Sequence, residues 1–154
     1  MTYYEDLSPY AYFGRYDPPG LKLINVGWLG EGELFPKGET SQEFKAKLFE
    51  FCLDKYAVNV TRGFHTCEFC SFSDRQQWSE LCNSYGENTY CLGIGNGEIR
   101  IIGQSAIYAA PSLIYHYVVL HSYKPPEEFI EAVLFGPAPG SKEHETLLER
   151  YRTY

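Results

Sequence analysis

QSAIYAAPSLIYHYVVLHSY, residues 104–123, decides the fold, since its composition suits a strand, a helix, or one passing into the other. QSAIYAA (104–110) follows the strand-like GEIRIIG (97–103) and adds a further strand to it. Pro111 then intervenes, and SLIYHYVVLHSY beyond it is β-branched and aromatic, which favours a strand by propensity. Against that, a proline at a first helical position, with Leu113, Tyr117 and Leu120 falling on one face, favours a helix. The helical reading is preferred. It makes the fold class α+β: a small antiparallel sheet with three to four helices packed beside it.

The flanking segments are read in the same way. KPPEEFIEAVLFG (124–136) has Pro126 at the first helical position, acids in the first turn, Phe129, Ile130, Val133 and Leu134 at helical spacing, and Gly136 as terminator. PAPGS is a linker, and KEHETLLERYRTY (142–154) is a charged terminal helix on which His144 is expected to be solvated. Upstream, TYCLGIG (89–95) and GEIRIIG read as paired strands joined around Gly95-Asn96-Gly97. AVNVTRGF (57–64) reads as a strand, and the polar 71–89 segment as a short helix or turn anchored by Trp78 and Leu81. Thr40-Ser41-Gln42-Glu43 reads as a capping box with Thr40 at the N-cap, opening an amphipathic helix over 41–55 with Cys52 on its apolar stripe. LKLINVGW (21–28) is a strand, and the Tyr-, Pro- and Gly-rich residues 1–20 form an arm over the body. With no internal repeat, residues 1–154 are read as a single domain.

The chain carries 13 Lys and Arg against 20 Asp and Glu, a formal charge of −7. Binding nucleic acid through phosphates needs a basic stripe, and these bases are scattered, so no nucleic-acid partner is expected. An acidic surface suits a basic protein partner instead. No apolar run reaches the roughly 20 residues that span a bilayer, so no membrane partner is expected. MTYYEDLSPYAYFG lacks the basic and apolar regions of a signal peptide, so the expected location is cytoplasmic. In that reducing setting five cysteines, an odd number, argue against a disulfide framework.

RGFHTCEFC (62–70) concentrates the chemistry. A Cys-x-x-Cys turn lets two thiolates converge on one tetrahedral ion, and zinc is the default for mixed sulfur and nitrogen donors. The expected ligand set is His65, Cys67, Cys70 and His116, with His121, Cys82 and Cys91 as alternatives. A knuckle, a hairpin and then a helix bearing a ligand is the order of treble-clef zinc modules, although those place two ligands in the first helical turn. His116 and His121 are five residues apart, about 140° around a helix, so at most one is expected in a shared site. Two other readings stay open: buried thiols without a ligand, and a redox pair. The redox pair requires a strand before and a helix start after the cysteines, and Ser71-Phe72-Ser73-Asp74 is not read as such a start. If only three side chains held the metal, Glu68 would be placed to act as general base on a bound water. GIGNGE (93–98) is not a dinucleotide fingerprint, because its sixth position is Glu98 and a strand follows.

In RGFHTCEFC, in IYAAPSLIYHYVVLHSYKPPEEFIEAVL and in YYEDLSPYAYF, the chain resembles a family of small bacterial proteins containing a domain of unknown function. The resemblance covers most of the chain and implies a bacterial, cytoplasmic protein, without an activity to transfer. Together these readings point first to a non-enzymatic interaction module with a structural zinc knuckle, comparable with toxin immunity proteins. The second reading is a zinc-dependent hydrolase with an open coordination position and Glu68 or His121 as proton carrier.

Overall fold

β3 (Ala106–Pro111) is the middle strand of a three-stranded sheet, parallel to β1 (Lys22–Asn25) on one side and antiparallel to β2 (Glu98–Ile102) on the other. The structure, a computed structural model, describes residues 2–10, 22–62, 65–85 and 95–152, without the side chains of 79, 81–85 and 150–152. The fold class is α+β, as expected, but the sheet is mixed rather than antiparallel. The physical reason is the long connection from β1 to β3: it carries two helices and β2, and a parallel pairing requires such a crossover.

The described helices are α1 (Gln42–Phe51), α2 (Phe72–Tyr85), α3 (Ile114–Leu120), α4 (Glu127–Phe135) and α5 (Lys142–Arg152), with a short 3-10 turn at Asp54–Tyr56. That is one helix more than expected, because 71–89 forms a full helix over 72–85. Ser41, not Thr40, caps α1, its hydroxyl accepting from the Phe44 N–H at 3.1 Å. Among the described residues of the expected 57–64 strand, 57–62, there is a single bridge, Val58 to Glu98, and the expected 89–95 strand lies outside the described residues apart from Gly95. β2 pairs with β3, the further strand expected at 104–110.

Pro111 ends β3 rather than opening a helix. The Ser112 N–H bonds to the Gly97 carbonyl on the β2 side, so the proline nitrogen faces the other way, where the β1 register has already ended at Ala109. A residue without an N–H is therefore tolerated in a central strand at this one place.

Both faces of the sheet are covered. On one, Ile99, Ile101, Ala106, Tyr108 and Ala110 pack with Phe44, Leu48 and Phe51 of α1, with α3, and with Phe129 and Val133 of α4. On the other, Leu23, Ile102, Ile107 and Ala109 meet Tyr10, Trp28 and Leu148 of α5. The 2–10 segment lies along β1, through Tyr10 N–H to Leu23 C=O, Asn25 N–H to Ser8 C=O and Leu7 N–H to Asn25 C=O. Beneath it Glu98 is 3% exposed and fully occupied: its carboxylate accepts from Tyr10 Oη and Arg100 at 2.9 Å and from Asn59 at 3.3 Å. A buried charge of this kind is tolerated because it is paired and hydrogen-bonded. His144, expected in solvent, is 3% exposed and packs on Phe51, with Nε2 at 3.0 Å from the Arg100 carbonyl.

Candidate metal centre

α3 is short and buried nearly all round: Ile114, Tyr115, His116, Tyr117 and Val118 are all covered. It sits against Gly27, whose φ of +80° and close approach to Ile114 leave no room for a side chain. His116 projects from its first turn. At the other end the helix stops at Leu120, His121 takes the C-cap with φ −117°, and Ser122 turns the chain with φ +55°. The Tyr117 carbonyl then accepts from both the His121 and the Tyr123 N–H groups, at 3.0 and 3.1 Å. This turn folds His121 back toward His116, and the two rings lie 5.1 Å apart. The 140° rotation that separates them on a helix does not apply, because the helix ends before His121.

Cys67 and Cys70 approach from the loop that precedes α2. One ligand atom from each of Cys67, Cys70, His116 and His121 can be chosen so that all four lie within 4.8 Å of one another. Cys67 Sγ is 3.3 Å from His121 Nε2, and Cys70 Sγ is 3.1 Å from His116 Nε2 and 3.5 Å from His121 Nε2. Zinc–sulfur bonds near 2.3 Å and zinc–nitrogen bonds near 2.0 Å at tetrahedral angles place sulfur and nitrogen about 3.5 Å apart, so the spacing fits one ion. The Phe69 N–H points at Cys67 Sγ at 3.4 Å, the loop-amide donation that steadies a thiolate ligand.

Protonation follows from burial. Burial holds His116 down to about 4 and lowers His121, so both imidazoles present free lone pairs at neutral pH. Burial pushes the Cys67 thiol up to about 12 and raises Cys70, so these thiols ionise only when a cation offsets the charge. That direction is opposite to the lowered pKa of a redox cysteine. The helix start absent from the sequence reading is nevertheless there. Ser71 Oγ lies 3.4 Å from the Asp74 N–H, while Asp74 Oδ2 accepts from the Ser71 N–H at 3.1 Å, a reciprocal capping box that opens α2 just after Cys70. The pattern Ser-x-x-Asp was the available signal.

His65, expected as a ligand, is not one of the four. Its N–H is tied to the Gly95 carbonyl at 2.8 Å, and Gly95, with φ +110°, has the His65 carbonyl where a Cβ would stand. His65 lines a separate cavity of about 350 Å³ with Trp28, Asn59, Thr61 and Glu98. Cys91 and the side chain of Cys82 lie outside the described residues. Glu68 Oε2 accepts from the Glu31 N–H at 2.8 Å. His116 Nδ1 has no hydrogen-bond partner among the described residues, and its ring meets Trp78 edge-on at 4.8 Å. Among the described residues no helix is long and apolar enough to cross a membrane.

A Cys2His2 cluster close enough to bind one metal ion, carried by an α+β fold, defines the class of protein. Residues 2–134 match a domain of unknown function, DUF7919, and the chain belongs to that family. No curated protein and no solved structure matches it.

Proposed function

We propose that Cys67, Cys70, His116 and His121 hold one zinc ion in a closed structural site, and that the protein is a non-enzymatic interaction module for a basic protein partner. The observation that carries the zinc site is the convergence of four donor atoms within 4.8 Å. Two sulfurs and two imidazole nitrogens form a donor set that zinc prefers. Four protein ligands complete a tetrahedron, whereas a catalytic zinc keeps a position for water. The hydrolase reading loses support at both of its proton carriers: Glu68 is engaged with the Glu31 amide, and His121 is used as a ligand.

The partner reading rests on charge. A chain of net charge −7 attracts basic proteins and speeds their encounter, the property on which immunity to a basic toxin would depend. A bacterial, cytoplasmic setting accords with it, since thiols stay reduced there and remain available to zinc. Elemental analysis of protein purified with zinc should give one zinc per chain, and cobalt substitution should give the intense visible bands of a tetrahedral sulfur-bound ion. Cys67→Ser and His121→Ala should each lose the metal. Zinc-free protein, together with unchanged melting of Cys67→Ser, would defeat the proposal.

A further inference from the structure

Away from the metal centre, a cleft of about 430 Å³ opens between the β2–β3 turn, α4 and the start of α5. Tyr108 and Leu147 give it an apolar lining, and Phe135 stands at its edge with 82% of its surface exposed. Glu128, Glu131 and Glu143 rim it, and no lysine or arginine lines it among the described side chains. Two lysines of the neighbouring segments are engaged: Lys124 pairs with Glu127, and Lys47 reaches Glu43 and the Leu134 carbonyl. The negative field is felt by Tyr108, whose phenol donates to Glu128 at 3.1 Å and is pushed up to about 12 by burial and by the carboxylates of Glu128 and Glu131. The family match ends at residue 134, so part of this cleft, including Phe135, Glu143 and Leu147, comes from sequence beyond it.

We propose that the cleft docks an arginine side chain presented by a basic segment of a partner protein, an inference that rests on the interaction-module reading above. Three carboxylates around one cleft call for a cation, and the apolar lining selects its form. A bare metal ion is a poor occupant, because among the described residues the only acidic or sulfur and nitrogen donors that converge at ligand distance are the four of the zinc site. A long organic cation fits better: its methylene stem covers Tyr108 and Leu147 while its head stays at the glutamates. Guanidinium is favoured over ammonium because it lies flat on an aromatic face such as Phe135 and donates in pairs to carboxylates. An acidic segment would be repelled, and an apolar one would desolvate three charges without compensation.

The test is calorimetric titration of the zinc-loaded full chain with a capped, eight-residue peptide of alternating glycine and arginine. Two double variants each remove two charges: Glu131→Gln/Glu143→Gln in the cleft, and Glu5→Gln/Glu33→Gln beside Tyr3, outside its lining. The cleft pair should weaken binding about tenfold and the second pair less than about twofold, the difference expected between a docked and a long-range charge. Phe135→Ala should weaken it about fivefold with melting unchanged, since the ring is mostly in solvent. Equal weakening by both pairs would overturn the cleft while leaving the acidic-surface reading intact. No binding of the peptide at all would overturn both. Spermine binding as tightly, with the same dependence on Glu131 and Glu143, would show a small-polycation site and overturn the protein-segment proposal.

Discussion

β2 and β3 are joined by a continuous backbone ladder and buried at every position, whereas the 65–70 loop leaves Cys67, Phe69 and Cys70 only partly covered. Among its described residues, the loop's long-range backbone tie is His65 to Gly95. Its one large apolar side chain, Phe69, touches Phe35, Tyr117 and His121. The ladder region is stable by water exclusion and needs no ligand. The loop instead gathers two raised thiols and two neutral imidazoles, an arrangement that gains most when a cation enters it. Two regions that share α3 thus draw on different sources of stability, and those sources respond to different perturbations.

The largest expected effect lies in the core. Phe129 is fully buried between Phe44 and Tyr108, and Phe129→Ala should cost about 3–5 kcal/mol, seen as a fall in melting temperature of about 6–20 °C. That fall should be the same with and without chelator. Metal removal comes next. With free zinc a hundredfold above its dissociation constant, chelation should remove about 2.7 kcal/mol, roughly 5–11 °C. Cys70→Ser should abolish the chelator effect while leaving Phe129→Ala as harmful as before. A chelator-insensitive wild type would erase the distinction between the two regions.

β2 and β3 were legible as short apolar, β-branched runs bounded by glycine and proline, and α4 from its helical spacing between Pro126 and Gly136. α3 was ambiguous for a physical reason: a helix buried all round has no polar face to reveal its period. The two cysteines and His116 were legible from residue type and spacing. His121 is only an alternative in the sequence, because five-residue spacing on a helix admits at most one of the two histidines, and the C-cap turn at Ser122 is not written in local composition. His65 was included by proximity in sequence, but its backbone is engaged with Gly95 and it lines a different cavity. The mixed sheet depended on a pairing between residues 22–25 and 106–109, which no local pattern carries.

A smaller effect separates the N-terminal segment from both regions. Asp6 accepts from the Gly27 N–H at 3.0 Å and from Tyr123 Oη at 2.8 Å, yet burial raises its pKa above the ordinary carboxylate value. In the folded state it therefore keeps its proton to higher pH than in the unfolded state. Between the unfolded and folded pKa values the native protein binds more protons, so this group's contribution to stability falls as pH rises through that window. Asp6→Asn should remove that dependence, leaving the neutral-pH melting temperature unchanged or slightly higher. Melting measured in chelator from pH 4 to 7 keeps metal loss out of the comparison. A wild type whose stability instead rose through that window relative to Asp6→Asn would show the carboxylate to be favourably placed as an ion.

The smallest effect is the most informative about the loop. Ser41 and Ser71 both accept at helix N-termini, and replacing either by alanine should cost about 1 kcal/mol through the lost cap. Ser41 opens α1 in the apolar core, so Ser41→Ala should lower melting equally with and without zinc. Ser71 opens α2 beside Cys70, in the region proposed to rely on the metal. There the cap helps only when the loop is ordered, so Ser71→Ala should leave metal-free melting almost unchanged and weaken zinc binding about fivefold. Competition against a zinc-binding dye reads that affinity directly. If Ser71→Ala lowered metal-free melting as much as Ser41→Ala and left zinc affinity intact, the loop would be preformed. The zinc site would then be a guest in a structure already held by packing.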